Sequence, residues 1–298
     1  MGKFWIKGMG WRRDLPDRRD LTLNTEKKKN EGIKEMVESI GIAKPAADVI
    51  PPKMDLRTWC PAIVDQGQLG SCTANAAAGL LGYFENKAFG KYNAPSRLFI
   101  YKATRNLMQE TGDTGAYIRT ALGSLVLFGA PPEEYWPYTD KTPNFDVEPT
   151  SFCYAFAENY KTINYVKLDP PNTPKDTLLN TIKTNLAAGL PSEFGFSVYS
   201  SMRQAKDGQI PYPCNGERVE GGHAILAVGY DDNLTIKNPG CDNPTTGAFL
   251  IRNSWGTDWG DKGYGWLPYE YVLKEQATDW WTLIKAEWVE TDQFKLSD

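Results

Sequence analysis

The feature that most limits the fold of this chain is a change of apolar period near residue 190. Before it, apolar residues recur three and four apart. After it they come in short runs rich in branched and aromatic residues, bounded by Gly, Pro, Asn and Asp. Helices first and strands later predict segregated lobes of an α+β fold, and a cleft between such lobes is a common place for a site.

The helical part predicts four helices. The first follows Ser71-Cys72, where small residues and then Leu80, Leu81, Tyr83 and Phe84 cover several faces, as in a buried helix. The second starts at Pro95-Ser96 and runs through Gln109. The third spans about Ala116 to Phe128 and stops at Gly129, and the fourth follows Pro174-Lys175-Asp176 and ends before Gly189. EFGFSVY, HAILAVGY, GAFLIRNSW, YGWLPY and WWTLIKAEW read as strands.

Residues 1–50 differ in character. They hold 11 Lys/Arg against 8 Asp/Glu, whereas the remaining chain holds 22 against 29. A mildly basic leading segment can dock on an acidic body by charge complementarity, or be no more than a solvated arm. Ile33, Met36, Val37 and Ile40 fit one short amphipathic helix, and Pro51-Pro52 marks a boundary.

The net charge of -4 gives no support to nucleic-acid binding. No apolar stretch is long enough to span a bilayer, and the start lacks a secretory core, so an intracellular or particle-packaged protein is expected. The five cysteines include no CxxC pair and accompany a single histidine, so neither a zinc site nor another cofactor is expected. Cys214 and Cys241 flank that histidine; a bridge between them is open, with the reduced state favoured in an intracellular setting.

Four residues carry candidate chemistry. Any imidazole chemistry must use His223, which two glycines precede and a strand-like run follows. Cys72 sits at a predicted helix N-terminus, where free N–H groups and the dipole favour thiolate over thiol. Asn253 offers an amide oxygen that can hold the second ring N–H of a histidine. Gln66, six residues before Cys72, offers an N–H₂ donor that could share an oxyanion with the Cys72 backbone N–H. Each also has an ordinary reading, as core histidine, buried small residue, turn asparagine or loop glutamine.

Order and flanking residues lift these signals together. QGQLGSC, GGHAILAVGY and RNSWGTDWGDKGYGW resemble the three active-site blocks of the papain/cathepsin family of cysteine peptidases, in members of microbial or large-virus type. The likeness runs from about residue 50 to 298. It implies a two-lobe fold, a helical lobe over about 55–165 and an antiparallel β lobe over about 166–298, with the active-site cleft between. It implies that Cys72, His223 and Asn253 form a catalytic triad, with Gln66 in the oxyanion hole and Trp255 shielding the His–Asn bond. Gly115, Ala116 and Tyr117 resemble the strand that pairs with an extended substrate, Tyr117 walling the pocket for the second residue before the scissile bond; Gly222 adjoins it. The expected partner is a polypeptide substrate. Residues 1–50 would be a prosegment lying on the cleft as an intramolecular inhibitor, or else a permanent strap. Leu69 and Thr73 stand where the family usually has Cys and Trp. Two competing functions share the same residues: a non-catalytic peptide-binding relative, and an acyltransferase.

Overall fold

The computed structural model describes residues 6–22 and 50–286. The helix expected over Ile33–Ile40 lies outside them. The other elements follow from the period change. Helix α1 (Cys72–Phe89) is buried from Cys72 to Glu85, which its run of small residues permits. Helix α2 (Arg97–Leu107) starts where Ser96 accepts the Phe99 N–H at 3.1 Å, as the Pro-Ser signal predicts. Helix α3 (Ile118–Leu127) ends before Gly129 at φ 79°, and α5 (Lys175–Ala187) before Gly189 at φ 80°.

Strands β5 (Ser192–Tyr199), β6 (Val219–Ile236), β7 (Thr245–Arg252), β8 (Tyr264–Pro268) and β9 (Ala277–Ala286) lie on the five predicted runs. With β4 (Thr162–Lys167) they form an antiparallel sheet in the order β4-β9-β5-β6-β7-β8, and β2 (Lys53–Asp55) pairs with β6 off that path. The sequence reading missed β2, β4 and the short α4 (Ser151–Ala157). β2 joins the sheet from before the helices, and β4 opens its later strands at Thr162. Two short strands, β1 (Trp11–Arg12) and β3 (Ala116–Tyr117), pair in parallel. One core runs through both halves, with α1 packed against β6, α2 and α3. The Cys214–Cys241 bridge is formed, with Cα atoms 5.9 Å apart, correcting the favoured reduced state. The β6–β7 connection folds back onto the loop before β6, where Asn238 donates to the Tyr212 carbonyl and to Glu217. Among the described residues no helix is long and apolar enough to cross a membrane.

Candidate active site

Cys72 is the first residue of α1, so its sulfur sits among the unpaired N–H groups of a helix start. It is fully buried, and the backbone N–H groups of Ala224, Gly10 and Thr73 point at it. Ala224 follows His223 on β6. The fold therefore brings the thiol beside the imidazole's own strand, across 151 residues of chain.

The ring of His223 is oriented by a traceable chain of bonds. The Ser254 backbone N–H donates to Asn253 Oδ1 at 2.8 Å, which fixes which end of that amide is oxygen. His223 Nε2 lies 2.8 Å from the same oxygen, so Nε2 carries the proton. In the neutral ring Nδ1 is then an acceptor, and it has no partner among the described residues. Trp255, itself buried, stacks on the imidazole with centroids 4.5 Å apart. Gln66 is fixed likewise: Ser254 Oγ donates to its Oε1 at 2.6 Å, which turns its Nε2 toward the cleft. Nothing in the sequence pointed to Ser254 beyond its place after Asn253.

The cleft already contains a peptide, the chain's own residues 6–22. Gly8 N–H donates to the Gly67 carbonyl at 3.0 Å. The Gly8 carbonyl accepts from Gln66 Nε2 at 3.0 Å and Trp255 Nε1 at 3.4 Å. Gly10 N–H donates to Cys72 Sγ at 3.3 Å, and Ala116 N–H to the Gly10 carbonyl at 2.8 Å. Glycine is required at 8 and 10, since a Cβ at either would collide with the backbone of residues 68–70. Gly115 at φ 71° lies against Gly10, and Gly222 against Trp11. Arg12 Nη1 donates to both carboxylate oxygens of Glu110 at 2.7 Å, Nη2 donates to Tyr117 Oη at 2.9 Å, and the guanidinium lies over that ring. Further along, Asp14 and Asp20 pair with Arg119.

This cover changes the electrostatics expected of the site. Burial pushes the Cys72 thiol up to about 11, against the opposing backbone N–H groups of Ala224 and Gly10. Burial likewise pulls the His223 imidazole down to about 4, although the Asn253 bond favours the cation. With the segment in place both groups are neutral, the reverse of the activated thiolate expected from the helix start. The reason is desolvation, which no single stretch of sequence displays.

The fold thus gathers all the expected site residues, Gln66, Cys72, Gly115, Ala116, Tyr117, Gly222, His223, Asn253 and Trp255, around one bound segment. Among the described residues no cluster of His, Cys, Asp or Glu is arranged to hold a metal.

Comparison with known proteins gives concordant results. The description "Papain family cysteine protease" matches residues 50–276. An uncharacterised peptidase C1-like protein of Acanthamoeba polyphaga mimivirus is 34% identical over 286 residues, covering 93% of this chain and 86% of that protein. Xylellain, a cysteine protease from Xylella fastidiosa, superposes with a TM-score of 0.72 at 34% identity, over 93% of this chain and 96% of that one. A procathepsin B of Trypanosoma congolense shares the fold, with a TM-score of 0.66 at 17% identity over 94% and 86% of the two chains.

Proposed function

The chain belongs to the papain family of cysteine proteases, and from that premise we propose that it is an endopeptidase held inactive by its own residues 6–22. It is a papain-like cysteine peptidase, and such enzymes act on polypeptides. In the proposed reaction Cys72 loses its proton to His223 Nδ1 and attacks the scissile carbonyl, forming a thioester. Gln66 Nε2 and the Cys72 N–H hold the oxyanion, and His223 protonates the leaving amine and then activates water.

One observation carries the inhibitory reading. The bound segment presents a carbonyl to Gln66 and an N–H to Cys72, filling the places of a reacting peptide. Its direction is what protects it. It runs from Gly8 at Gln66, past the thiol, to Trp11 beside Ala116. A substrate whose residues before the scissile bond pair with Gly115–Tyr117 runs the opposite way. The carbonyl that reaches Gln66 is that of Gly8, whereas the group on the thiol is the Gly10 N–H two residues on, so the sulfur faces a donor rather than a carbonyl carbon. Cleavage near Ile50, in the exposed connection before β2, would separate residues 1–50 as a domain from the catalytic part, 51–298. The proposal is tested by incubating the purified chain and following its N-terminus beside turnover of a peptide. Loss of the segment without any rise in turnover would sink it.

Two further outcomes follow. Gln66→Ala is expected to lower kcat of the released enzyme by roughly 10²–10³-fold, the usual cost of one oxyanion donor. A change confined to KM would assign Gln66 to ground-state binding only. The second outcome concerns pH. Burial, then the charge of Asp279, pushes the Asp14 carboxyl up to about 6, against Arg119 and Lys167. A carboxyl raised on docking favours docking fully below its free value of about 4, and that contribution is lost as pH rises through 6. Glu193 is raised in the same sense, while exposed Glu110, lowered by Arg12, opposes only in stronger acid. His223, pulled down to about 4 under the cover, acts in the opposite sense and weakens docking as pH falls, so the Asp14 contribution is read by difference. Amide exchange of Gly8 and Gly10, measured in the unsubstituted chain and in Asp14→Asn, should give a ratio of protection, unsubstituted over variant, about tenfold larger at pH 4.5 than at 7.5. A larger ratio at 7.5 would contradict this assignment.

A further inference from the structure

Trp11 fills a socket rather than lying on the cleft surface. A Cβ on Gly195 would fall among its indole atoms, and a Cβ on Gly222 would press on its ring and carbonyl, so two glycines make the room. At the far edge Trp11 Nε1 donates to Asp279 Oδ2 at 3.1 Å. Asp279 is 3% exposed and sits at φ 56°, a left-handed conformation seldom kept by a non-glycine residue without support. The support is visible: Asp169 accepts the backbone N–H groups of Asp279 and Trp280 at 2.8 and 2.9 Å, and Lys167 Nζ lies 3.3 Å from Asp279 Oδ1. The other oxygen, Oδ2, accepts from Trp11 and from the Asp14 N–H at 2.8 Å, both on the bound segment. Removing that segment empties two donor positions on one buried carboxylate oxygen.

A second carboxyl shares the socket's side of the sheet. Glu193 lies two residues before Gly195 on β5, so both face the same way, away from the stack of Phe194 on Trp280. It is fully buried, and neither oxygen has a hydrogen-bond partner among the described residues. Such a group is costly unless something donates to it. The indole offers a single N–H and spends it on Asp279.

We propose that the released enzyme uses this socket, walled by Gly195 and Gly222 and ended by Asp279 and Glu193, to select an arginine as the second residue before the scissile bond. The inference rests on the protease reading above. The position follows from Trp11 being adjacent to Gly10, the residue on the thiol. The side chain follows from donor count. A guanidinium carries five N–H groups in a fork, can replace both donors lost from Asp279 Oδ2 and can also reach Glu193. Lysine supplies the charge without the fork, and leucine or phenylalanine leaves Asp279 Oδ2 and Glu193 without a side-chain donor from the substrate. Lys167 holds the other oxygen of Asp279. Arg119, which loses Asp14 and Asp20 with the segment, and Lys167 are the cations among the described residues here that would favour an acidic side chain instead.

The test is a set of peptides differing only at that residue, Arg, Lys, Leu, Trp or Glu, given to the full-length chain after it has processed itself or to full-length Gly10→Val. The expected result is kcat/KM for Arg about tenfold or more above Leu, with Lys between. In Asp279→Asn and in Glu193→Gln the ratio of Arg to Leu should fall several-fold. Leu or Trp preferred over Arg in the unsubstituted socket would overturn the proposal without needing any variant to fold. So would Glu preferred over Arg, which would assign the choice to Arg119 and Lys167, or a ratio unmoved by both substitutions. Failure to cleave any of the peptides would sink the protease reading itself, a different outcome from cleavage without preference.

Discussion

Gly10→Val makes Cys72 of the full-length chain react with iodoacetamide about 100-fold faster than in the unsubstituted protein. The estimate comes from what the substitution undoes. The added side chain has no room against Gly70, so the segment must lift where it crosses the thiol. Docking there rests on the Trp11 indole, on backbone bonds of Gly8 and Gly10, and on the partly exposed Arg12–Glu110 pair. An indole buried on one side contributes about 2 kcal/mol and the backbone bonds about 1 kcal/mol more, while the exposed ion pair adds little. A net advantage of about 3 kcal/mol corresponds to roughly 100-fold, since each 1.4 kcal/mol is tenfold. The pH profile of alkylation should change with the rate. The covered thiol, pushed up to about 11, reacts only in alkali, while the uncovered one regains the helix start and a solvated imidazole and reacts well below pH 8. Equal rates in both proteins would mean that residues 6–22 do not shield the sulfur in solution.

Cys72→Ala abolishes peptide hydrolysis, by about 10⁴-fold or more, while leaving peptide binding measurable. Removing the sulfur removes the covalent route, and the oxyanion donors alone recover little. His223→Ala should cost a similar factor and the double variant little more, because the two act as one unit. This non-additivity separates a peptidase from a peptide-binding relative of the fold. In the relative, turnover is absent throughout and the substitutions alter affinity alone. Product masses exclude the acyltransferase if water, not an added amine, takes the acyl group. Retention of more than a per cent of the rate in Cys72→Ala would place the nucleophile elsewhere.

Much of this was legible in the amino-acid order. The change from helical to strand period locates α1, α2, α3, α5 and the five later strands, because each element repeats its burial pattern along its own length. The blocks around Cys72, His223 and Asn253 name the chemistry, since each needs its neighbours: a helix start, glycines before a strand, a serine after the amide. What stayed hidden is what depends on distant contact. Lys7–Asp14 shows no period, yet its two glycines fit because the backbone of residues 68–70 leaves no room for more. Asp279 stands just before an aromatic run and looks like an ordinary strand residue until its backbone conformation and partners are seen. Glu193, in SEFGF, looks like a surface acid and is fully buried. The direction in which Cys72 and His223 are shifted could not be read at all, because it depends on whether a segment some sixty residues upstream is seated.

The sulfur and the imidazole arrive from different halves of the molecule. Cys72 is carried by a helix whose packing extends to α2 and α3, His223 by β6 and Asn253 by the first position after the neighbouring β7. Their alignment is therefore set where α1 packs against β6, inside the core that both halves share. A change that shifts that packing would throttle turnover from outside the groove, without ever touching the atoms that react.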